Sequence, residues 1–456
     1  MAKRIRLLLG AAVLLALALL APHRKMSSAK VFQQHEQWPA ESQQVRDLQQ
    51  QGVFATHLPI VILHNDGRRI PGVDRTEATD LYCGWTVIHE KNGVNRLDAA
   101  PAMTGRMNLS VRGNSSRDYP KKQYMVKLVD GQNAPRDEAL LGMPAESTWV
   151  LNGSYIDKSL IRNYMCYNLA GQIMDYAPRC RLCEVFTTDP DGKPVYQGVY
   201  TLMEKIKVSD VRLDLEKYTP GQEETSFMVQ MNSKMDNLRL HHLKPDGVAT
   251  YPMDLEYPDV GELQGNALNY IRRQLAVFEK SMYDAVRAAD WSTFNQYADL
   301  DSFVDYYIIN EFFQNLDAGT RSTYLYQEMG GKMAIGPVWD FDGALNNFAD
   351  VENRVDYLKV KSTFYYRNLF QDPEFVERCI ARYHELRRGC LSDRALLAVI
   401  VGSGAYLQAP ARRNAQRWYG GDAECFEEEL EELRTFVVQR GRWMDENFER
   451  LCAIIR

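Results

Sequence analysis

"LDAGTRSTYLYQEMGGKMAIGPVWDFD", residues 316–342, holds two short alternating runs, "STYLYQE" and "KMAIGPV", separated by Gly330-Gly331. That pattern predicts an antiparallel hairpin. A hairpin brings its ends together, so Asp317 before the first run and Asp340 after the second are expected to face one another across 23 residues of sequence. Asp342 follows close behind. Each acid alone has a plainer reading, as a helix-end cap or a solvated loop residue, but their joint order around a hairpin favours a shared cation and substrate.

Working outward, the chain before residue 260 is rich in strand patterns. "HLPIVILHNDGRRI" alternates and stops at Asn65-Asp66-Gly67. "MNLSVRGNSS" and "KKQYMVKLVDG" read as two strands around a Gly-Asn-Ser-Ser turn, and "PVYQGVYTLMEKIKV" as a hairpin about Gln197-Gly198. Between them "DKSLIRNYMCYNLAGQIM" has helical periodicity, with Asp157 as its N-cap and an end near Gly171. From residue 261 the apolar spacing turns helical in "ALNYIRRQLAVFEKSMYDAVRAA", "LDSFVDYYIINEFFQNL", "DPEFVERCIARYHELRRG" and the last stretch from Phe426. The expected class is α+β, with a strand-rich lobe over 57–260 and a helical lobe over 261–456 that carries the hairpin.

The first residues have another purpose. Lys3, Arg4 and Arg6 precede an apolar run from Leu7 to Ala21, short for a bilayer span and right for a secretory segment. Residues 1–29 therefore read as a signal peptide cleaved after Ala29, or as a retained membrane anchor through 7–21, followed by a polar, Gln-rich linker over 30–56. Removing 1–29 takes five basic residues and no acid, so the net charge of −6 becomes −11. Such a balance argues against a nucleic-acid partner. Of eight cysteines only Cys180 and Cys183 have Cys-x-x-Cys spacing. Zinc is disfavoured, and one or two disulfides are expected of an exported chain.

Acid, short hairpin, acid is the order in which protein kinases set a catalytic Asp and a metal-binding Asp. One carboxylate orients the attacking hydroxyl, and the other holds Mg²⁺ on the phosphates of ATP. On spacing alone, a metal-dependent hydrolase of cell-wall material using three acids stands as an alternative. Five further blocks carry a more specific likeness: "SVRGNSSRDYPKKQYMVKL" (110–128), "WVLNGSYIDKSLIRN" (149–163), "YQGVYTLMEKIKV" (196–208), "INEFFQNLDAGTRSTYLY" (309–326) and "GPVWDFD" (336–342), with "RGRWMDENF" in the last helix. Together they resemble the CotH kinase family, named for spore-coat protein H.

The resemblance implies an atypical, two-lobed, protein-kinase-like fold. It also implies transfer of phosphate from ATP, with Mg²⁺, to Ser or Thr of extracytoplasmic or surface proteins. Asp317 then looks like the catalytic Asp, Asp340 like the metal ligand and Asp342 like a second one. A typical kinase has Asn five positions after its catalytic Asp; here that position is Ser322. No His-Arg-Asp or Asp-Phe-Gly triplet occurs. A non-catalytic surface binding protein on the same fold is the competing reading, and three retained acids speak against it.

For the nucleotide, Gly113 permits a tight turn in which the amides of Asn114 and Ser115 meet phosphate. Lys121, Lys122 and Lys127 are candidate phosphate cations. By strand parity Lys121 and Lys127 share one face and Lys122 the other, and Lys127 is the expected choice. Glu204, at the end of a strand that joins the lobes, is expected near the adenine, and Arg162 near the phosphate lysine. Trp149 and Trp339 read as core residues.

Overall fold

Alternation decides the first half of the structure, a computed structural model that describes residues 39–452 apart from 75, 78, 232–252, 349–353 and 423. Seven strands close into a barrel: β1 (Ile60–His64), β2 (Leu81–Ile88), β3 (Met103–Arg112), β4 (Gln123–Val129), β5 (Thr148–Asn152), β6 (Cys180–Thr188) and β7 (Pro194–Glu204). Their order is β1-β2-β3-β4-β5-β7-β6, and a parallel pairing of β6 with β1 closes the ring. Inward positions such as Leu109, Val111, Tyr124, Val126, Trp149, Leu151, Cys183 and Tyr200 fill it with one apolar cluster. The residues between them point outward. Val150, Leu182, Val199 and Met203 do so into the main helical core, whereas Arg112, Gln123 and Met125 line an open cavity.

Gly198 is a bulge, not the turn expected from sequence. The segment 194–204 is one continuous strand, and its register against β6 shifts so that Gly198 faces Val185, Tyr196 faces Phe186 and Gln197 is the extra residue. Gly198 has φ +101°, and a Cβ there would meet Asn414 Oδ1 at 2.4 Å. The missing side chain lets a helix approach. That helix, Asp393–Trp418, is bound to the bulge by Trp418 Nε1 donating to the Gln197 carbonyl at 2.8 Å and by the Val199 N–H donating to Asn414 Oδ1 at 3.2 Å.

Among the described residues the helices of eight residues or more are α1 (Gln43–Gln50), α2 (Arg162–Ile173), α3 (Ala267–Ala288), α4 (Leu300–Phe312), α5 (Pro373–Arg388), α6 (the Asp393–Trp418 helix) and α7 (Cys425–Cys452). Helix α1 lies in the stretch read as linker. Ser42 caps it, and Val45 is buried with Ala55 and Val94, so packed structure begins before residue 57. Asp157 precedes α2 by a turn, accepts the Arg162 N–H at 2.9 Å, and leaves Gly171 inside the helix. Residues 1–29, including the apolar run 7–21, lie outside the described residues. Among the described residues no single helix is long and apolar enough to cross a membrane.

The hairpin forms as expected, from β10 (Thr323–Gln327) and β11 (Met333–Ile335). It is completed by two strands from before residue 260, β8 (Phe227–Met231) and β9 (Met253–Tyr257), in the order β9-β8-β10-β11. A division at 260 thus cuts through a sheet. All eight cysteines are free, so the expected disulfides are absent. Parity explains the nearest pair: three residues apart on one strand, Cys180 and Cys183 point to opposite faces, one into the helical core and the other into the barrel.

Candidate active site

Helix α4 ends at Phe312, and the chain turns through Asn315 to Asp317 before entering β10; the return strand β11 delivers Trp339 and Asp340 opposite. Asp317, Ser322, Asp340 and Asp342 line one cavity of about 600 Å³ with Arg112, Gly113, Asn114, Ser115, Gln123 and Met125 of the barrel. The site therefore lies where the outward face of β3 and β4 meets the hairpin sheet.

The "WDFD" segment is held by hydrogen-bond partners prepared for it. The Asp340 N–H donates to Tyr167 Oη at 3.1 Å, the Phe341 N–H to Asn163 Oδ1 at 2.8 Å, and Asn315 Nδ2 to the Trp339 carbonyl at 3.1 Å. Two of these partners stand on α2. Its first residue, Arg162, reaches the far end of the segment, donating to the carbonyls of Ala344 at 3.2 Å and Leu345 at 3.4 Å. Held this way, Asp340 keeps φ +65°, a left-handed conformation that costs a non-glycine residue roughly 1–2 kcal/mol.

Burial and mutual repulsion set the electrostatics. Burial, then the charge of Asp317, pushes Asp340 up to about 6, while Arg112 pulls it back. Burial, then Asp340 and Asp157, pushes Asp342 up to about 7. Burial also raises Asp317, against the pull of Arg321 and Lys359. Asn152 Nδ2 donates to Asp342 Oδ2 at 3.2 Å, but Asp342 Oδ1 is buried with no hydrogen-bond partner. A buried, unpartnered carboxylate oxygen beside a second raised carboxylate is a place for a cation. Among the described residues no three His, Cys, Asp or Glu gather tightly enough to hold a metal unaided. Mg²⁺ suits the pair, because it takes one or two carboxylates and completes its shell with water and phosphate oxygens.

The loop 113–115 meets the cavity as expected from sequence. The other nucleotide candidates do not. Lys127 obeys the expected parity, on the outward face with Gln123 and Met125, but sits too far along β4; it is half exposed and paired with Asp80 at 2.8 Å. Lys121 is fully buried, donating to the Val199 carbonyl at 2.5 Å and to Asn414 Oδ1 at 2.8 Å, and burial lowers it to about 7. It fastens α6 to the barrel. Lys122 donates to the Arg117 carbonyl at 2.7 Å and steadies the loop from behind. Glu204 is wholly buried against Arg179 Nε at 2.8 Å and Tyr176 Oη at 3.1 Å, a structural ion pair with no face left for a base. Arg162, fully buried between Asp157 and Glu429, each at 2.7 Å, holds the acid loop and not phosphate.

The cation that acts on Asp340 from the barrel side is Arg112, which is not among the residues expected from sequence. It ends β3 on the outward face, donates to Gln123 Oε1 at 3.1 Å, and lies 5.7 Å from the ring centre of Trp339. The signal was present in "NLSVRG": Leu109 and Val111 point inward, so Arg112 points out, one residue before the loop glycine. Trp339 is buried as expected, yet it also lines the cavity.

A search of the curated proteins returned no match. The family model described as CotH kinase protein matches residues 109–444, a span that opens within β3 and takes in Arg112, all three acids and most of α7. Over most of its length, then, the chain belongs to the CotH kinase family.

Proposed function

We propose that this chain is an ATP- and Mg²⁺-dependent phosphotransferase acting on Ser or Thr hydroxyls of extracytoplasmic proteins, with the barrel and the helical part serving as the two lobes of a kinase-like fold. Family membership points to kinase-like activity. The observation that carries the finer reading is Asp342 Oδ1, buried and unpartnered next to Asp340, in one cavity with Asp317 and Arg112. Placement outside the cytoplasm rests on the export pattern of residues 1–29.

In this reading Asp340 and Asp342 hold the metal, which when bound with ATP cancels charge on the phosphates. Arg112 meets the phosphate oxygens from the barrel side, oriented by Gln123 and by the face of Trp339. Amides of the 113–115 loop cover the phosphates. Asp317 accepts the hydroxyl proton of the acceptor; burial, by raising its basicity, suits it to that task.

Incubating the purified chain with γ-labelled ATP, Mg²⁺ and a Ser-rich protein tests the reading. Label is expected on the protein; no turnover of ATP, with metal-dependent cleavage of cell-wall material in a parallel incubation, would favour the hydrolase. Asp317→Asn is expected to lower turnover by about 10²–10⁴-fold while ATP affinity by calorimetry stays within about threefold, since this residue addresses the hydroxyl and not the nucleotide. Loss of nucleotide binding would place Asp317 in the metal shell.

The correction at β4 gives a second test. Arg112→Met is expected to raise the KM for ATP by about tenfold or more, the scale of a charge-assisted hydrogen bond. Lys127→Met, on an exposed ion pair, is expected to leave it within about twofold. The opposite order would show that phosphate is bound at the other end of β4.

A further inference from the structure

Among the described residues three arginines line the active cavity: Arg112, Arg117 and Arg321. Two of them are engaged. Arg112 donates to Gln123 Oε1, and Arg117 donates to the carbonyls of Gly113 at 2.6 Å and Val111 at 3.1 Å. Arg321 is exposed, and its guanidinium makes no hydrogen bond or ion pair among the described residues. A solvated arginine is ordinary on an open surface; what sets this one apart is where its backbone is held.

The turn that carries Asp317 fixes that position. The Asp317 carbonyl accepts the N–H of Thr320 at 3.0 Å and that of Arg321 at 2.8 Å, and Thr320 Oγ1 donates to it at 2.9 Å. The Gly319 N–H donates to Thr323 Oγ1 at 2.9 Å, and a Cβ on Gly319 would meet Thr363 Oγ1 at 2.5 Å, so the turn is packed from behind. Arg321 is thus held beside Asp317 on a stiff backbone, and of the neighbouring charges its own pulls hardest on that acid. Lys359 pulls too, but does not line the cavity.

In the phosphotransferase reading, on which this inference rests, Arg112, the 113–115 loop and the Asp340–Asp342 pair face the nucleotide phosphates, whereas Asp317 faces the acceptor hydroxyl. Arg321 stands on the acceptor's wall. An extended chain advances about 3.3 Å per residue, so a polypeptide with its hydroxyl at Asp317 carries its next one or two residues past Arg321. A planar guanidinium matches a carboxylate in two parallel hydrogen bonds. We infer that Arg321 selects acceptors that carry Asp or Glu one or two residues from the phosphorylated Ser or Thr.

Two fluorescent peptides, alike except that the two residues on each side of a single Ser are Glu in one and Gln in the other, test it with the full chain. By anisotropy without nucleotide the Glu peptide is expected to bind about fivefold more tightly, and with ATP and Mg²⁺ to show the difference in KM and not in kcat. Arg321→Gln is expected to level the two peptides and Arg321→Glu to reverse their order. Lys127→Glu, outside the cavity, is expected to keep the wild-type order. Equal affinity for the two peptides in the wild-type chain, or a preference that survives Arg321→Gln, overturns the inference. A fall in turnover for both peptides alike, with their order kept, would assign the guanidinium to the transferred phosphoryl group and overturn it too. A preference in binding without labelling of either peptide would fault the phosphotransferase reading alone. Labelling of both peptides without preference would fault the role of Arg321 alone.

Discussion

Asp340→Asn is expected to lower Mg²⁺-dependent phosphoryl transfer by about 10²-fold or more while the metal-free protein unfolds at the same or a higher temperature. Asparagine tolerates the left-handed backbone that Asp340 adopts, so the turn survives. The charge is lost. In the absence of metal that charge is a liability, because burial and the neighbouring Asp317 disfavour it. In the presence of metal and nucleotide it stabilises charge that grows in the transition state. Stability and turnover therefore move in opposite directions, which a general folding defect would not produce. Wild-type turnover in the variant, measured with γ-labelled ATP at saturating Mg²⁺, would remove Asp340 from the metal site.

Arg440→Met is expected to destabilise the chain by about 3–5 kcal/mol in chemical denaturation, the scale for removing one partner of a buried ion pair. Arg440 is fully buried and makes four bonds, to the carbonyls of Val355 at 2.5 Å and Tyr357 at 2.6 Å and to the Glu311 carbonyl and Oε1 at 2.7 and 3.0 Å. Glu311, on α4, in turn accepts the N–H groups of Lys359, Val360 and Lys361 at 2.7, 2.7 and 3.1 Å. The substitution would leave a buried carboxylate and three carbonyls without the guanidinium that donates to them. A loss below about 1 kcal/mol would show that water replaces the guanidinium at little cost. The pair also clamps the 359–361 strip onto the helix that leads to Asp317, so turnover is expected to fall along with stability.

The hairpin was legible because its signals are local: alternation, a Gly-Gly turn, and acids at both ends. Parity in β3 and β4 was equally legible, and placed Gln123 and Met125 on the cavity side. What parity does not supply is distance along the strand, and Lys127 failed on that coordinate. Arg112 lies before the glycine, away from the lysines that follow it, although the same alternation rule points it outward. At Gly198 a turn and a bulge share one sequence signal, and only the paired strand β6 separates them. Helix α6 escaped notice because Pro410, Gly402 and Gly404 interrupt its pattern. Its packing on the barrel outweighs those local penalties. Glu204, Lys121 and Arg162 are buried charges whose partners, such as Arg179, Asn414 and Glu429, come from distant parts of the sequence or from other elements. No local window reveals such partners.

The parallel pairing that closes the barrel has a consequence in time. Strand β1 meets β6 with Ile60 opposite Glu184 and Leu63 opposite Thr187. A chain emerging from the ribosome must therefore make more than a hundred residues after β1 before its second partner exists. The entropy of closing so long a loop grows only with the logarithm of its length, so the finished barrel loses little stability by it. Rate is another matter, since pairings distant in sequence form slowly. Until β6 arrives, the β1-β2-β3 meander carries an open hydrogen-bonding edge along the apolar run "IVIL", available to any other extended chain. Truncation anywhere before residue 188 is thus expected to yield aggregates, and expression of the intact chain to improve when translation is slowed or the temperature is lowered.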